Sequence, residues 1–247
     1  MNLDRKTAII TGAARGIGKA SAEKLARDGF NIVIIDLNQE AVAKVASEIE
    51  ETYQVKALSY MGDVRDLHTI TAIVADVVQK LGSVDVLVNN AGIAEDISDI
   101  CETSDDDWKK IMDVNLMGSV NCVKAVLPLF KEQKSGRIIN ISSMAGQRGT
   151  MAVSFAYGAS KAAIINLTKS LAMQLAKYNI TVNSVSPGLI RSDMTAGFDK
   201  THRDDVVPLG RMGTVEDVAG SVAFLAGDDA SYITGFTIDV NGGFYLR

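Results

Sequence analysis

The sequence predicts an α/β fold: a doubly wound parallel sheet of about seven strands, with helices on both faces, in a single domain spanning 1–247. Three observations carry this. Short apolar runs of strand length alternate with longer stretches of helical period along the whole chain. The short runs are near-continuously apolar, as in strands covered on both faces, rather than alternating. No linker, internal repeat or low-complexity tract divides the 247 residues, and the three prolines do not separate regions of different composition.

The elements follow in order. Ala8-Ile9-Ile10 reads as a strand running into Thr11-Gly12. A helical pattern covers 16–28 and is closed by Gly29. Asn31–Asp36 is a second buried strand. A helix over about 38–51, a strand over 56–60 and a helix over 66–81 come next. The strand 84–88 ends in Asn89-Asn90-Ala91-Gly92. A helix over about 104–131 carries Pro128 near its end. The strand 137–141 runs into Ser142-Ser143, and a long helix covers 154–178. The strand 181–186 is stopped by Pro187-Gly188. Residues 188–213 form an irregular stretch too long for a plain connection, which makes it a candidate substrate lid. A helix over 215–226 and a strand over 237–240 complete the chain.

Composition limits the functions available. Hydrophobic residues make up 47% and charged residues 22%, a globular profile. The net charge of −5 speaks against nucleic acid or an anionic membrane as partner. The N-terminal residues carry no signal-peptide apolar region, and no uncharged run reaches membrane-span length. Cys101 and Cys122 have neither metal-ligand spacing nor a redox-pair arrangement. A cytoplasmic protein with two reduced thiols and no metal is expected. His68 and His202 read as surface residues, and Trp108 as packing. Asp105-Asp106-Asp107 open a helix, where acids favour the dipole, and Asp204-Asp205 read as solvated.

Two motifs carry chemistry. Thr11-Gly12-Ala13-Ala14-Arg15-Gly16-Ile17-Gly18 joins the first strand to the first helix. Glycines let the backbone approach a pyrophosphate, and the helix N-terminus offers free N–H groups. The spacing is G-x-x-x-G-x-G, not the commoner G-x-G-x-x-G. Asp36 ends the second strand, 18 residues past Gly18, about where a ribose-binding carboxylate belongs. Its bland alternative is a residue of the next helix's N-cap region. A carboxylate there favours NAD(H) over NADP(H). Arg15 argues the other way if it reaches a phosphate, and is neutral if it only caps the turn.

The second motif is Tyr157-Gly158-Ala159-Ser160-Lys161, which puts a phenol and an ammonium on one helical face. A phenol titrates near pH 10, and lowering that by about 3 units takes about 4 kcal/mol. An ammonium about 5 Å away supplies roughly 3 kcal/mol at an effective dielectric of about 20. A cationic cofactor ring can supply the remainder, so the pair is a plausible acid/base unit.

Together these motifs, in this order, resemble the short-chain dehydrogenase/reductase family, over essentially the whole chain and with its single-domain Rossmann-type fold. The resemblance implies that Gly12, Gly16 and Gly18 hold the cofactor phosphates, with Arg15 and Ile17 in the same turn. It places Asp63 and Val64 against the adenine ring. Asn90, Ala91 and Gly92 line the cofactor site, and Asn115 holds a water in a proton relay. Ser143, Tyr157 and Lys161 become the catalytic set, Tyr157 and Lys161 also meeting the cofactor. Pro187 and Gly188 form the loop after the sixth strand, where Ile190 and Ser192 meet the nicotinamide carboxamide. Ser142 is the alternative to Ser143, and position 192 is usually threonine in the family.

The implied activity is hydride transfer between NAD(H) and a small secondary alcohol, polyol or hydroxy compound and its ketone. Two alternatives stand beside it: 3-oxoacyl-(acyl-carrier-protein) reduction, and a non-catalytic dinucleotide sensor or scaffold. Against a carrier-bound substrate, Met173 stands where carrier-using relatives have a docking arginine, though Lys134 could fill a second docking position. Met144, Met151, Met194 and Met212 fall near the site, mainly as apolar filler, with Met144, Met151 and Met194 as candidates to line the substrate pocket. Arg148 and Arg191 flank the expected pocket; they read first as solvent-facing arginines and otherwise as candidates for an anionic group on a free substrate. A homotetramer is expected, through the helix after Ser154 and the apolar end 236–246.

Overall fold

The structure, a computed structural model, describes residues 5–95, 99–149, 153–192 and 204–246. Its strands are β1 (Thr7–Thr11), β2 (Asn31–Asp36), β3 (Ala57–Met61), β4 (Val86–Asn89), β5 (Gly136–Ile141), β6 (Ile180–Pro187) and β7 (Thr237–Val240). The helices are α1 (Gly16–Arg27), α2 (Gln39–Tyr53), α3 (Leu67–Leu81), α4 (Asp105–Met112), α5 (Gly118–Gln133), α6 (Phe155–Leu175) and α7 (Val215–Ala226). The strands form one seven-stranded sheet in the order β3-β2-β1-β4-β5-β6-β7. Every pairing is parallel.

Alternate residues of each strand enter opposite cores, as the two-residue period requires. Ile10, Ile32, Ile34, Val86, Val88, Ile139 and Ile141 face α1, α2 and α7, meeting Leu25, Val45 and Val222. Ile9, Val33, Ile35, Leu87 and Ile138 face the other way, meeting Val77, Val126, Phe130 and Leu175 of α3, α5 and α6. This double coverage explains the near-continuous apolar strands.

Helix starts follow local chemistry. The Asn38 side chain accepts from Ala41 N at 3.0 Å, and Asp66 accepts from His68 N at 2.9 Å. Ser104 and Asp107 form a capping box, which gives one residue of the acidic run a defined task. No helix among the described residues is long and apolar enough to cross a membrane.

The helix expected over 104–131 differs in kind. Between α4 and α5 the backbone widens into a π-helical turn, Asp113–Met117, with Gly118 N donating to Asp113 O. Nothing in the residue pattern signals this, because a π turn inserts one residue without changing composition. The strand order also sets the location of a site. It reverses between β1 and β4, and open α/β sheets bind ligands in the crevice at the carboxyl ends of such strands.

Candidate active site

The turn after β1 is built by close approach. Gly12 has φ +63°, and a Cβ there would lie 2.7 Å from Ala91 Cα. At Gly18 a Cβ would lie 2.4 Å from Gly12 O and 2.5 Å from Asn90 Nδ2. At Gly16, φ +59°, a Cβ would meet nothing within 4 Å, so this glycine borders open space. Arg15 is the extended N-cap of α1 and makes no side-chain cap bond. Asn90 ties the two loops together, donating from Nδ2 to Thr11 O at 2.9 Å and Gly12 O at 2.8 Å. Thr11 Oγ1 accepts from Asn90 N and Ala91 N, both at 3.1 Å. Thr11 was not singled out in the sequence; only its place before a glycine turn hinted at it.

These loops border a cleft of about 370 Å³. Gly12, Arg15, Gly16, Ile17 and Asp36 line it, and so do Asp63, Val64, Asn90, Ala91, Gly92 and Ser192. The Asp36 carboxylate accepts from Ala14 N at 3.2 Å, Leu37 N at 2.8 Å and Asn38 N at 3.3 Å. The N-cap itself is Asn38. Asp63 pairs with the Arg65 guanidinium at 2.6 Å, which holds its carboxyl below the usual carboxylate range. Val64 packs so tightly on α5 that a Cβ at Gly118 would lie 2.4 Å from its Cγ2. The donor set fits a dinucleotide: unfilled space at Gly16, a helix N-terminus and a carboxylate at the next strand end.

Beside the cleft lie the four residues of the catalytic candidate set. Asn115 sits in the π turn, buried, with Nδ2 donating to Ile93 O at 2.9 Å and Oδ1 accepting from Ile93 N at 2.8 Å. Ser143 caps the short 3-10 turn Met144–Gly146, accepting from Ala145 N at 3.1 Å, and its hydroxyl lies near enough to the Tyr157 phenol to lower that group's pKa. Ser142 turns the other way: its hydroxyl donates to Val185 O at 3.0 Å and accepts from Ser184 Oγ at 2.7 Å. Ser142 is thereby committed to β6, whereas it is the Ser143 hydroxyl that acts on the Tyr157 phenol's pKa.

Lys161 Nζ donates to Ile141 O at 2.9 Å and lies 5.7 Å from the Tyr157 ring centre. A Cβ at Gly92 would be 3.3 Å from both Asn115 Oδ1 and Lys161 Nζ. Desolvation pushes the Tyr157 phenol up, opposed by the nearby Ser143 hydroxyl, and burial pushes Lys161 down to about 8. From the spacing alone, the lysine is expected to lower the tyrosine's pKa. In this geometry desolvation dominates at both groups and moves each toward its neutral form.

The far wall is set by the loop after β6. Gly188 N donates to Val240 O at 2.9 Å, next to Pro187, the last residue of β6. Ile190 is buried and bridges to Gly213. The proposed lid, 188–213, lies partly outside the described residues, as do Met151, Met194 and His202. Its described ends are joined: Gly213 N donates to Leu189 O, and Arg191 N to Gly213 O, both at 2.9 Å.

Arg191, one candidate for a substrate anion, pairs with Asp204 at 2.7 Å, and both side chains stay partly exposed to solvent. Asp204 also accepts from Met212 N at 2.7 Å, so it staples the loop ends. Arg148 stacks over Phe244, 5.1 Å from the ring centre. Met144 and Met212 are buried, His68 is exposed and Trp108 is half-buried. Among the described residues no three His, Cys, Asp or Glu side chains gather as a metal site would require.

Comparison with known proteins gives concordant likenesses. The family described as Enoyl-(Acyl carrier protein) reductase matches residues 12–245. The 3-oxoacyl-[acyl-carrier-protein] reductase of Staphylococcus aureus is 41% identical over 244 residues, covering 98% of each chain. A crystal structure of a Brucella melitensis 3-oxoacyl-[acyl-carrier protein] reductase with bound NAD superposes with TM-score 0.92 at 34% identity, covering 98% of this chain and 92% of that one. An NAD+-bound xylitol dehydrogenase superposes with TM-score 0.91 at 34% identity, covering 98% of this chain and 100% of that one.

Proposed function

The chain belongs to the short-chain dehydrogenase/reductase family, and from that premise we propose that it is an NAD(H)-linked reductase of a 3-oxoacyl group, with Tyr157 as the proton donor. Membership makes it an oxidoreductase. The finer reading is carried by one observation: a half-buried tyrosine near the Ser143 hydroxyl and facing the buried Lys161 ammonium, beside a cleft suited to a dinucleotide.

A dinucleotide held in the cleft would supply or accept the hydride. The protein handles the proton and the oxygen. Burial keeps the Tyr157 phenol protonated at neutral pH, which suits an acid that donates to a carbonyl oxygen during reduction. The Ser143 hydroxyl is placed to hydrogen-bond the same oxygen as negative charge develops there. Lys161, held near 8, is mostly protonated at neutral pH and can return a proton toward Tyr157. In oxidation the phenolate would take the hydroxyl proton, so that direction gains as pH rises.

The names of the relatives favour a 3-oxoacyl substrate over the free alcohol or polyol first read from the sequence. They also weigh against the expectation that the substrate is not carrier-bound. Met173 is 85% exposed and offers no cation. Lys131 and Lys177 both sit 5.2 Å from the Tyr178 ring and bring positive charge to the end of the same helix. The likeness to xylitol dehydrogenase keeps polyol oxidation as a second reading.

The test is Tyr157→Phe, which keeps the ring and removes the proton-carrying oxygen. With a 3-oxoacyl thioester and NADH, kcat falls at least about 100-fold while cofactor binding is retained. Retained turnover would overturn the acid/base assignment. A wild type active on polyols and inactive on 3-oxoacyl thioesters would favour the second reading. Comparing carrier-bound with free thioester separates the two acyl forms.

A further inference from the structure

Asn115, Ile93 and the Tyr157–Lys161 turn come from three separate segments, and one side chain joins them. Ser160 is fully buried on α6. Its Oγ accepts from Asn115 Nδ2 at 3.0 Å and donates to Tyr157 O at 2.7 Å. Both Nδ2 hydrogens of Asn115 are thereby used, one on Ile93 O and one on Ser160. Asn115 in turn holds the Ile93 amide through Oδ1. A π turn widens the helix backbone, so a side chain on it needs an outside anchor to keep its aim. Lys161, the next residue, is fastened separately to β5 through Ile141 O.

We propose that Ser160 is a positioning residue: it sets the catalytic turn of α6 against the π turn and, through Asn115, against the Ile93 loop at the cleft. The inference rests on the hydride-transfer reading above. It assigns Ser160 no contact with substrate, because its hydroxyl is buried and bonded on both sides. Removing the hydroxyl leaves Asn115 with one anchor fewer and loosens the Ile93 amide, two links from the change.

The experiment uses the full chain with Ser160→Ala, the smallest change that removes the bond. Hydrogen exchange at the Ile93 amide is expected to quicken by about ten-fold, the worth of one buried hydrogen bond, with β1 and β2 unchanged. In steady-state kinetics kcat is expected to fall about ten-fold, with KM for cofactor and substrate within about two-fold. On an Asn115→Ala background the same substitution should cost less than about two-fold more, since the two side chains act as one unit. Unchanged exchange at Ile93, an unchanged kcat, or losses that multiply in the double variant would each overturn the assignment. A wild type with no turnover on any 3-oxoacyl thioester or secondary alcohol defeats the functional reading instead, and the Ile93 exchange still decides this one.

Discussion

Two side chains set the chemistry at the residue scale, and each gives a measurable consequence. Asp36 ends β2 with its carboxylate held by three backbone N–H groups, which fixes its aim at the cleft. A phosphate on the ribose 2′ oxygen would bring about two negative charges against it. Near 4 Å and an effective dielectric of about 20, each such pair costs roughly 4 kcal/mol before screening. If about 3 kcal/mol survives, discrimination is about 100-fold. The expected outcome is a strong preference for NAD(H) in kcat/KM that shrinks or reverses in Asp36→Ala. A wild type that prefers NADP(H) would show that Arg15 wins. Lys161 gives the second consequence. Burial holds it at about 8 against an ordinary 10.5. Between those values the unfolded chain carries the extra proton, so this group's contribution to stability rises with pH across that window. Relative to Lys161→Met, the wild type should gain about 3 kcal/mol in unfolding free energy from pH 8 to 10.5 in urea titrations. A flat difference would mean that the ammonium is solvated. The Tyr157–Lys161 spacing was legible in the sequence because it depends only on helix geometry. The direction of the titration was not, because it depends on how deeply packing from other segments buries both groups.

At the scale of elements, the two glycine-bearing ends of β1 and β4 lock each other. The turn after β1 was legible because glycines, strand and helix came in order. Its partner contacts were not, since Asn90 lies 79 residues from Thr11 along the chain and meets it only through the strand order. The π turn was invisible for a different reason: Asp113–Met117 has ordinary helical composition, and only tertiary contacts hold the extra residue. The lock predicts a specific failure. In Gly18→Ala the new methyl would lie 2.4 Å from Gly12 O and 2.5 Å from Asn90 Nδ2, and the carbonyl belongs to backbone that cannot swing aside. The helix interior gains from alanine, but overpacking of this kind costs about 1–3 kcal/mol. Gly18→Ala should therefore lower the melting temperature and weaken NADH binding at least about ten-fold, read by fluorescence titration. Gly16→Ala is the informative contrast. Its Cβ meets no protein atom, so any loss there comes from the left-handed backbone and from the ligand's own space.

For the whole molecule, the outermost strand decides what can associate. Among the described residues β7 closes one end of the sheet, paired to β6, and the edge of a sheet is where further strands or chains can add. An open groove of about 360 Å³ runs beside it, lined in part by Phe236, Tyr245 and Leu246. Phe236 is 53% exposed and Leu246 79%. Large apolar side chains clustered at the end of a sheet indicate a partner surface. A second surface lies on α6, which leaves Phe155 and Met173 exposed. The seven strands and their covering helices were legible from periodicity, whereas association depends on which apolar residues the fold leaves outside, and that emerges only once both cores are filled. Two separate self-complementary surfaces on one chain generate a closed tetramer, because each two-fold contact pairs copies and the second pairs the pairs. The expected mass by light scattering at micromolar concentration is therefore that of four chains. Phe236→Glu places a charge in the edge contact and leaves α6 untouched. It should halve the mass to a dimer with little loss of secondary structure. A monomeric wild type would sink the two-surface argument, and a Phe236→Glu tetramer would remove the β7 edge from it.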